Sequence, residues 1–403
     1  MTQSKPKWRW FGWVLMALAL VLVPLAVLIG ISFQAPPPGP MGESIPPDED
    51  VVVSQIIDSG IAMLNATRHQ VGDGTYRRDA HAKTHACLLG DFQVTPPAEP
   101  LNQGLFAEPK RYKAWVRFSS GSTAMQSDWT PDARGMGVKV LGVPGAKVME
   151  GEQAAETQDF LMINNPIFFI RDVKNYALLT QFQGEGSQFG YFFQGRNPLA
   201  WKLREFRIGL GILKPLPTAL LATQFHSMTA YKLGVGTDIK FTMRPVACTA
   251  GGSLPSSGVV WQRDSLRAGV AEHLRAGRAC FEMAVQPQVA GANMPVEDTT
   301  VLWDPKVSPF VPVARIEIPP QDIRPALDSG FCENLSMTPW HTLPQHRPIG
   351  GLNRIRLAVY QGIARYRRCM NGKAYGEPLN DGSLKFSSLA CVATGGVPEL
   401  SKN

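Results

Sequence analysis

Between Trp10 and Phe33 the chain runs for 24 residues without a charge. Crossing the hydrocarbon core of a bilayer takes ~20 apolar residues in a helix. Lys5, Lys7 and Arg9 precede this run, and Trp8, Trp10 and Trp13 stand where an interfacial aromatic belt belongs. The next charge is Glu43. The positive-inside bias therefore sets residues 1–9 as a basic cytoplasmic N-terminus and 10–33 as a transmembrane anchor. The remainder is expected on the periplasmic, extracytoplasmic side of the inner (plasma) membrane. The competing reading is a cleaved signal peptide. The run is long for one, and Pro36, directly after Ser32-Phe33-Gln34-Ala35, is a poor residue to follow a cleavage point. An uncleaved anchor is expected, and Pro24 inside it is tolerable in a membrane helix.

Residues 34–50 (QAPPPGPMGESIPPDED) read as a Pro-rich, semi-rigid tether. Residues 51–403 then hold enough chain for a large core, at 44% apolar and 18% charged overall. The net charge of +7 comes without a long Lys/Arg run or a nucleic-acid signature motif, so no nucleic-acid partner is expected. Six widely spaced cysteines (Cys87, Cys248, Cys280, Cys332, Cys369, Cys391) show no metal-binding spacing. On an exported domain they are free to pair, and connectivity is not readable from spacing.

Hydrophobic period divides the domain. Val52, Ile56, Ile57, Ile61 and Leu64 recur at helical spacing and predict a packing helix over 50–69. Cys87–Val94 reads as a strand bent at Gly90. Tyr112–Ser119 alternates, with Tyr112, Ala114, Val116 and Phe118 on one face and Lys113, Trp115, Arg117 and Ser119 on the other. Further strands are expected over 135–141, 239–245, 279–289 and 314–318, and a helix over 264–277. Phe160–Ile170 is an apolar run interrupted by Asn164-Asn165-Pro166. Residues 172–223 read as irregular helix, with Phe206–Leu221 as core or channel wall and a membrane-dipping segment as the lesser alternative. Residues 331–352 read as an extended Pro-rich loop before a final helix. Short strands in succession with inserted helices predict an α+β fold, an antiparallel β-barrel with helical additions.

The final helix carries Arg356 four residues before Tyr360, hence on the same face, with Arg365 and Arg367 one to two turns on. A tyrosine phenolate can hold ferric haem. It titrates near pH ~10 unaided, and a neighbouring guanidinium favours the charged form. Elsewhere stand His81 before a strand, Arg117 and Ser119 on one strand face, and Asn164 in an apolar run. Peroxide chemistry asks for that set: an imidazole to move a proton, an amide to position the peroxide, and a hydroxyl to fix the imidazole tautomer.

With these residues in view the sequence resembles the haem catalase family. Arg78-Asp79-Ala80-His81-Ala82-Lys83 is similar to the family's Arg-x-x-His-Ala-Lys block, and Val116-Arg117-Phe118-Ser119 to Val-Arg-Phe-Ser. Asp132 to Lys139 resembles Asp-x-Arg-Gly-x-x-x-Lys, and Asp159 to Asp172 ends Pro-x-Phe-Phe-Ile-Arg-Asp as the family does. Asp304 to Val313 and the Arg356 to Arg367 ligand block follow in family order. The resemblance implies a catalase-like barrel and haem b (iron protoporphyrin IX). It implies Tyr360 as the proximal iron ligand, Arg356 as its stabiliser, and Arg78, Arg117 and Arg367 on the propionates. His81 becomes the distal acid/base, Ser119 its hydrogen-bond partner and Asn164 the peroxide-positioning amide, with Asn165 as the alternative. Asp132 and Ala80 become channel residues.

The departures are informative. Ala80 stands where catalases usually carry a valine, which should widen the distal pocket. Met228 stands where catalases have a histidine. The long C-terminal helical domain is not expected within 51–403, and the usual N-terminal arm is replaced by anchor and tether. These features resemble the minimal catalase-related (catalase-like peroxidase) branch. Ile208-Gly209-Leu210-Gly211-Ile212 lacks a third glycine and a preceding strand, so no nucleotide is expected there; that the chain has no NADPH site of the kind some catalases carry is what the resemblance implies. A homo-oligomer is compatible with the family. His85 reads as structural, and His69, His226, His273, His341 and His346 are assigned no role. The expected function is a membrane-anchored hydroperoxidase acting on hydrogen peroxide, organic hydroperoxides or both. The alternatives are a lipid-hydroperoxide isomerase or lyase of the allene-oxide-synthase kind, and a non-enzymatic haem-binding protein.

Overall fold

The computed structural model describes residues 8–34, 41–68, 74–213, 219–255, 262–372 and 376–385. Strands β1 (Thr84–Val94), β2 (Arg111–Ser120), β3 (Arg134–Leu141) and β4 (Thr157–Ile163) form an antiparallel meander. The chain returns through β5 (Phe225–His226), β6 (Ala230–Lys232) and β7 (Asp238–Val246), then β8 (Ala279–Pro287) and β9 (Val311–Ile318). β9 pairs with β1 and β7 pairs with both β5 and β8, so eight strands close into an antiparallel barrel. β6 and the short β10 (Pro348–Ile349) extend it beside β7. Closure leaves no edge among the eight ring strands.

Strand alternation decides what fills the barrel. Ala114, Val116 and Phe118 of β2 point inward with Leu88, Phe92, Val138, Phe160 and Phe281. Arg117 and Ser119 therefore stand on the outer wall, as the period predicts. Gly90 is not a bend. β1 runs straight through it, pairing Gly90 with Ala114, and its irregularity falls at Thr84 to Ala86 instead. A Cβ at Gly90 would lie 2.9 Å from the Glu317 carbonyl oxygen, so glycine is needed for β9 to approach.

Helices cover that outer wall. α1 (Trp8–Ser32) is the apolar helix, long enough to cross a bilayer by length and composition. α2 (Glu49–Thr67), α3 (Val173–Gly184) and the long α8 (Gly351–Met370) share a second core built from Ile56, Ile57, Leu64, Ile355, Val359 and Ile363. α4 (Leu203–Ile212) lies in the irregular helical stretch, and α5 (Ser265–Leu274) spans the β7–β8 connection. The stretch read as a loop holds α7 (Phe331–Asn334) and β10, preceded by α6 (Arg324–Asp328). Cys87 is bonded to Cys332 and Cys248 to Cys280, and Cys369 is disulfide-bonded as well. His69 and Cys391 lie outside the described residues.

Candidate active site

A cavity of about 150 Å³ lies between the outer wall of β2–β4 and helices α3 and α8. Its walls take Arg78, Asp79, Ala80, His81, Arg117 and Ser119 from one side, and Arg356, Tyr360 and Arg367 from α8. Gly135 and Gly137 face it on β3, where alternation would otherwise put side chains. A Cβ at Gly135 would come within 2.5 Å of the His81 ring, and one at Gly137 would strike the Met337 sulfur. The two glycines keep a flat floor.

His81 sits at φ 57°, in the left-handed region that few residues with a side chain adopt. Its backbone N–H donates to Gly121 O at 3.0 Å, and Arg117 donates to its carbonyl at 2.7 Å. These bonds hold the strained turn and aim the ring at the cavity. Nδ1 is 3.1 Å from Ser119 Oγ. Burial, with Arg117, Arg356 and Arg78 nearby, pushes the imidazole down to about 3, so it is neutral across the physiological range.

The Arg356 guanidinium lies 5.6 Å from the centre of the Tyr360 ring, and its Nη1 donates to Asn353 Oδ1 at 3.2 Å. Burial opposes its charge, but Tyr360, Tyr231 and Tyr176 more than offset that and raise its pKa. Asn353 is itself fixed, donating to Ala230 O at 2.8 Å and accepting from Thr229 at 3.1 Å.

At the other end of the cavity Arg77, Arg78 and Arg367 pair with one carboxylate, Glu333, with Arg117 nearby. Arg367 Nη1 donates to Glu333 Oε1 at 2.8 Å and Arg78 approaches it at 3.3 Å. Burial and mutual repulsion lower Arg117, and bring Arg367 down to about 9 despite Glu333. Arg117 Nε is buried without a partner. Four guanidinium groups, Arg77, Arg78, Arg117 and Arg367, share the carboxylates of Glu333 and Asp79, which leaves positive charge to spare. A flat macrocycle with carboxylate arms fits that charge, the glycine floor and the phenol on α8.

Not every expected residue reaches the cavity. Asn164 does not line it. Its Oδ1 accepts from Arg134 N at 2.8 Å and its Nδ2 donates to Ile212 O at 3.2 Å, while the preceding Ile163 does form wall. Asn165 donates to Ile167 O. Asp132 accepts from Ser122 N and Gln126 Nε2, away from the wall. Arg365 is exposed. Met228 does line the cavity, at φ 61°. Sequence reasoning missed Glu333, hidden in the presumed loop, and the number of methionines in the wall: Met136, Met149, Met162, Met228 and Met337. Soft, unbranched side chains make that wall apolar and deformable.

No family model matches the sequence, and no curated protein does. The fold matches solved catalases. A fungal catalase superposes with TM-score 0.57 at 16% identity, covering 83% of this chain and 66% of its own. A bacterial catalase gives 0.56 at 15%, covering 83% and 63%. Catalase A from Saccharomyces cerevisiae gives 0.56 at 17%, covering 83% and 68%. The chain thus spans about two thirds of the length of these structures, and its fold is catalase-like.

Proposed function

We propose that the chain is a membrane-anchored haem b hydroperoxidase, with residues 1–9 cytoplasmic, 10–33 spanning and 51–403 the catalytic domain; of the expected tether 34–50, the part from Met41 on is docked onto that domain. The observation that carries the reading is the meeting, in one cavity, of the His81–Ser119 pair and the Arg356–Tyr360 pair with a cluster of buried arginines at its rim. Tyr360 would hold the iron, and Arg78, Arg117 and Arg367 the propionates. When bound, the ferric haem supplies the redox chemistry of peroxide cleavage. His81, kept neutral, takes a proton from the bound hydroperoxide and returns it to the departing oxygen. Ser119 holds Nδ1, so Nε2 is the nitrogen left to face substrate. Asn164, the amide that the resemblance implies for positioning the peroxide, is held beside the cavity wall by Arg134 N and Ile212 O, and the reading gives it no contact with substrate. Ala80 and the methionine wall favour an organic hydroperoxide alongside hydrogen peroxide. The Cys87–Cys332 and Cys248–Cys280 bonds suit an extracytoplasmic domain.

The test is the optical spectrum of the full chain in detergent, followed by oxygen release on adding hydrogen peroxide. A ferric tyrosinate spectrum lost in Tyr360→Phe supports the haem site. Oxygen release abolished in His81→Ala then makes it a catalase. Haem without oxygen, but with a fatty-acid hydroperoxide consumed, points to peroxidase or to the isomerase chemistry, and oxylipin products separate those two. Protein that takes up no haem overturns the reading.

A further inference from the structure

We propose that the outer face of α4 lies against the bilayer, as a second membrane contact besides α1. The inference rests on α1 being a membrane anchor. Helix α4 is two-sided. Ile208 and Ile212 pack inward against Phe168, Phe169, Ile163 and Met228. Outward it shows Arg207, Leu210 and Gly211, continued by Leu213 just past its end. Leu210 is 53% exposed. Among the described residues, the one acid of α4, Glu205, is buried and paired with Arg171 at 2.7 Å. An exposed face of leucine with arginine and no acid suits the interface of a bilayer with anionic headgroups.

The chain's own geometry says what covers it. The end of α1 meets α4, where the Arg207 guanidinium lies 5.7 Å from the centre of the Phe33 ring. Phe33 is where the apolar run stops, so the face begins at the level where the chain leaves hydrocarbon. The chain is then tied down again almost at once. Met41 O accepts from Gln288 at 2.8 Å, and Glu43 pairs with Arg347 at 2.6 Å and Arg354 at 3.0 Å. The chain from Gln34 to Met41, fully extended, spans at most about 25 Å. The domain therefore cannot stand far from the membrane. The inner side of α4 touches Ile163 and Met228, which line the cavity, so one helix separates the cavity from the lipid face. That face is the side from which an apolar hydroperoxide would come.

The test uses the full chain reconstituted in phosphatidylcholine–phosphatidylglycerol vesicles. Single cysteines at Leu210→Cys, Leu213→Cys, Leu20→Cys and Glu108→Cys carry an environment-sensitive fluorophore; Glu108 is exposed on the β1–β2 loop at the far end of the barrel. Lipids bearing a nitroxide at the headgroup or deep in the acyl chain act as quenchers. The expected result is loss of fluorescence at 210 and 213 with the headgroup quencher, loss at 20 with the deep quencher, and no loss at 108. Quenching at 20 with positions 210 and 213 no more quenched than 108 keeps the anchor and overturns the docking face. Cross-linking between copies through 210, without lipid quenching, also overturns it and makes the face a homo-oligomer contact. An unquenched position 20 removes the anchor reading and the inference with it.

Discussion

His81 is held by a left-handed backbone and a carbonyl tied to Arg117, neither of which a sequence motif displays, and by Nδ1 beside Ser119 Oγ. Two measurable expectations follow from these surroundings. Ser119→Ala leaves Nδ1 without its partner while haem uptake should persist. Support of this kind around a reacting centre is typically worth ~10–100-fold, so peroxide turnover should drop by that much with an unchanged resting spectrum. The pH profile is a separate check. The imidazole is pushed to about 3, and in the proposed reaction its neutral form is the one that works. Acidification should therefore produce no loss of turnover through ~pH 5–8, where an ordinary histidine would protonate. A steady-state profile with an acid limb near 6.5 would mean that burial and the arginines do not act on this ring. The imidazole, its serine partner and the phenol–guanidinium pair were all legible in the sequence. Their anionic neighbour Glu333 was not, because it lies on α7, a helix of four residues with too little length to show a period.

At the scale of elements, periodicity located β1–β3, β7–β9, α2, α5 and α8 to within a few residues, while β4 falls in the apolar run Phe160–Ile170, to which it assigns no element. It failed for β5, β6 and β10, of two or three residues each, since alternation needs more length to register. Nor could it show how distant segments share one buried charge network. Lys139 on β3 bonds Asp159 on β4 at 2.8 Å, and reaches Glu377 from the segment after α8 at 2.5 Å. His341 lies between Asp159 at 3.1 Å and Glu152 at 2.5 Å. Glu152, His341 and Glu377 offer metal-type donors, but the Lys139 ammonium already supplies the cation there. Burial alone would lower the His341 pKa; Glu377, Asp159 and Glu152 outweigh it and raise it from 6.5 to about 9. The stabilisation is complete below pH 6.5 and is lost as pH climbs through about 9. Burial would raise Glu377, but His341 and Lys139 hold it well below 4.5, so its contribution is complete above 4.5 and is lost as pH falls. Thermal stability should peak between those limits. On the alkaline side the His341 share is roughly 3 kcal/mol. Melting curves from pH 6 to pH 10 check this, and His341→Gln should flatten the alkaline fall. A second element contact is steric. A Cβ at Gly60 of α2 would lie 2.6 Å from Ile363 Cδ1 of α8. Gly60→Val should lower stability by ~1–3 kcal/mol through overpacking, read as a lower denaturation midpoint at unchanged slope.

For the molecule as a whole, the Cys87–Cys332 bond links β1 to α7 across 245 residues. It therefore ties the first barrel strand to the segment that carries Glu333 and, just beyond it, Ser336, Met337 and Thr338 of the cavity wall. Closing so long a loop restricts the unfolded chain more than a short one does, and the chain-entropy model assigns such a loop about 5–6 kcal/mol. The local consequence is sharper than the global one. Without the bond, α7 keeps Phe331 against Trp115, with ring centres 4.7 Å apart, but loses its covalent tie to the wall. Glu333 then has more freedom to leave Arg78 and Arg367. Cys87→Ala with Cys332→Ala should thus lower the melting temperature and also weaken haem retention, because the arginine cluster loses its fixed geometry. Cys248→Ala with Cys280→Ala, which removes a link across only 32 residues, should lower stability less. That second pair joins Cys280 on β8 to Cys248 just past β7, and neither residue lines the cavity, so haem retention should be unchanged. Haem dissociation into apomyoglobin, followed for both double variants beside melting curves, separates the two effects. Equal haem loss in both would mean that the Cys87–Cys332 bond acts on the cavity only through overall stability.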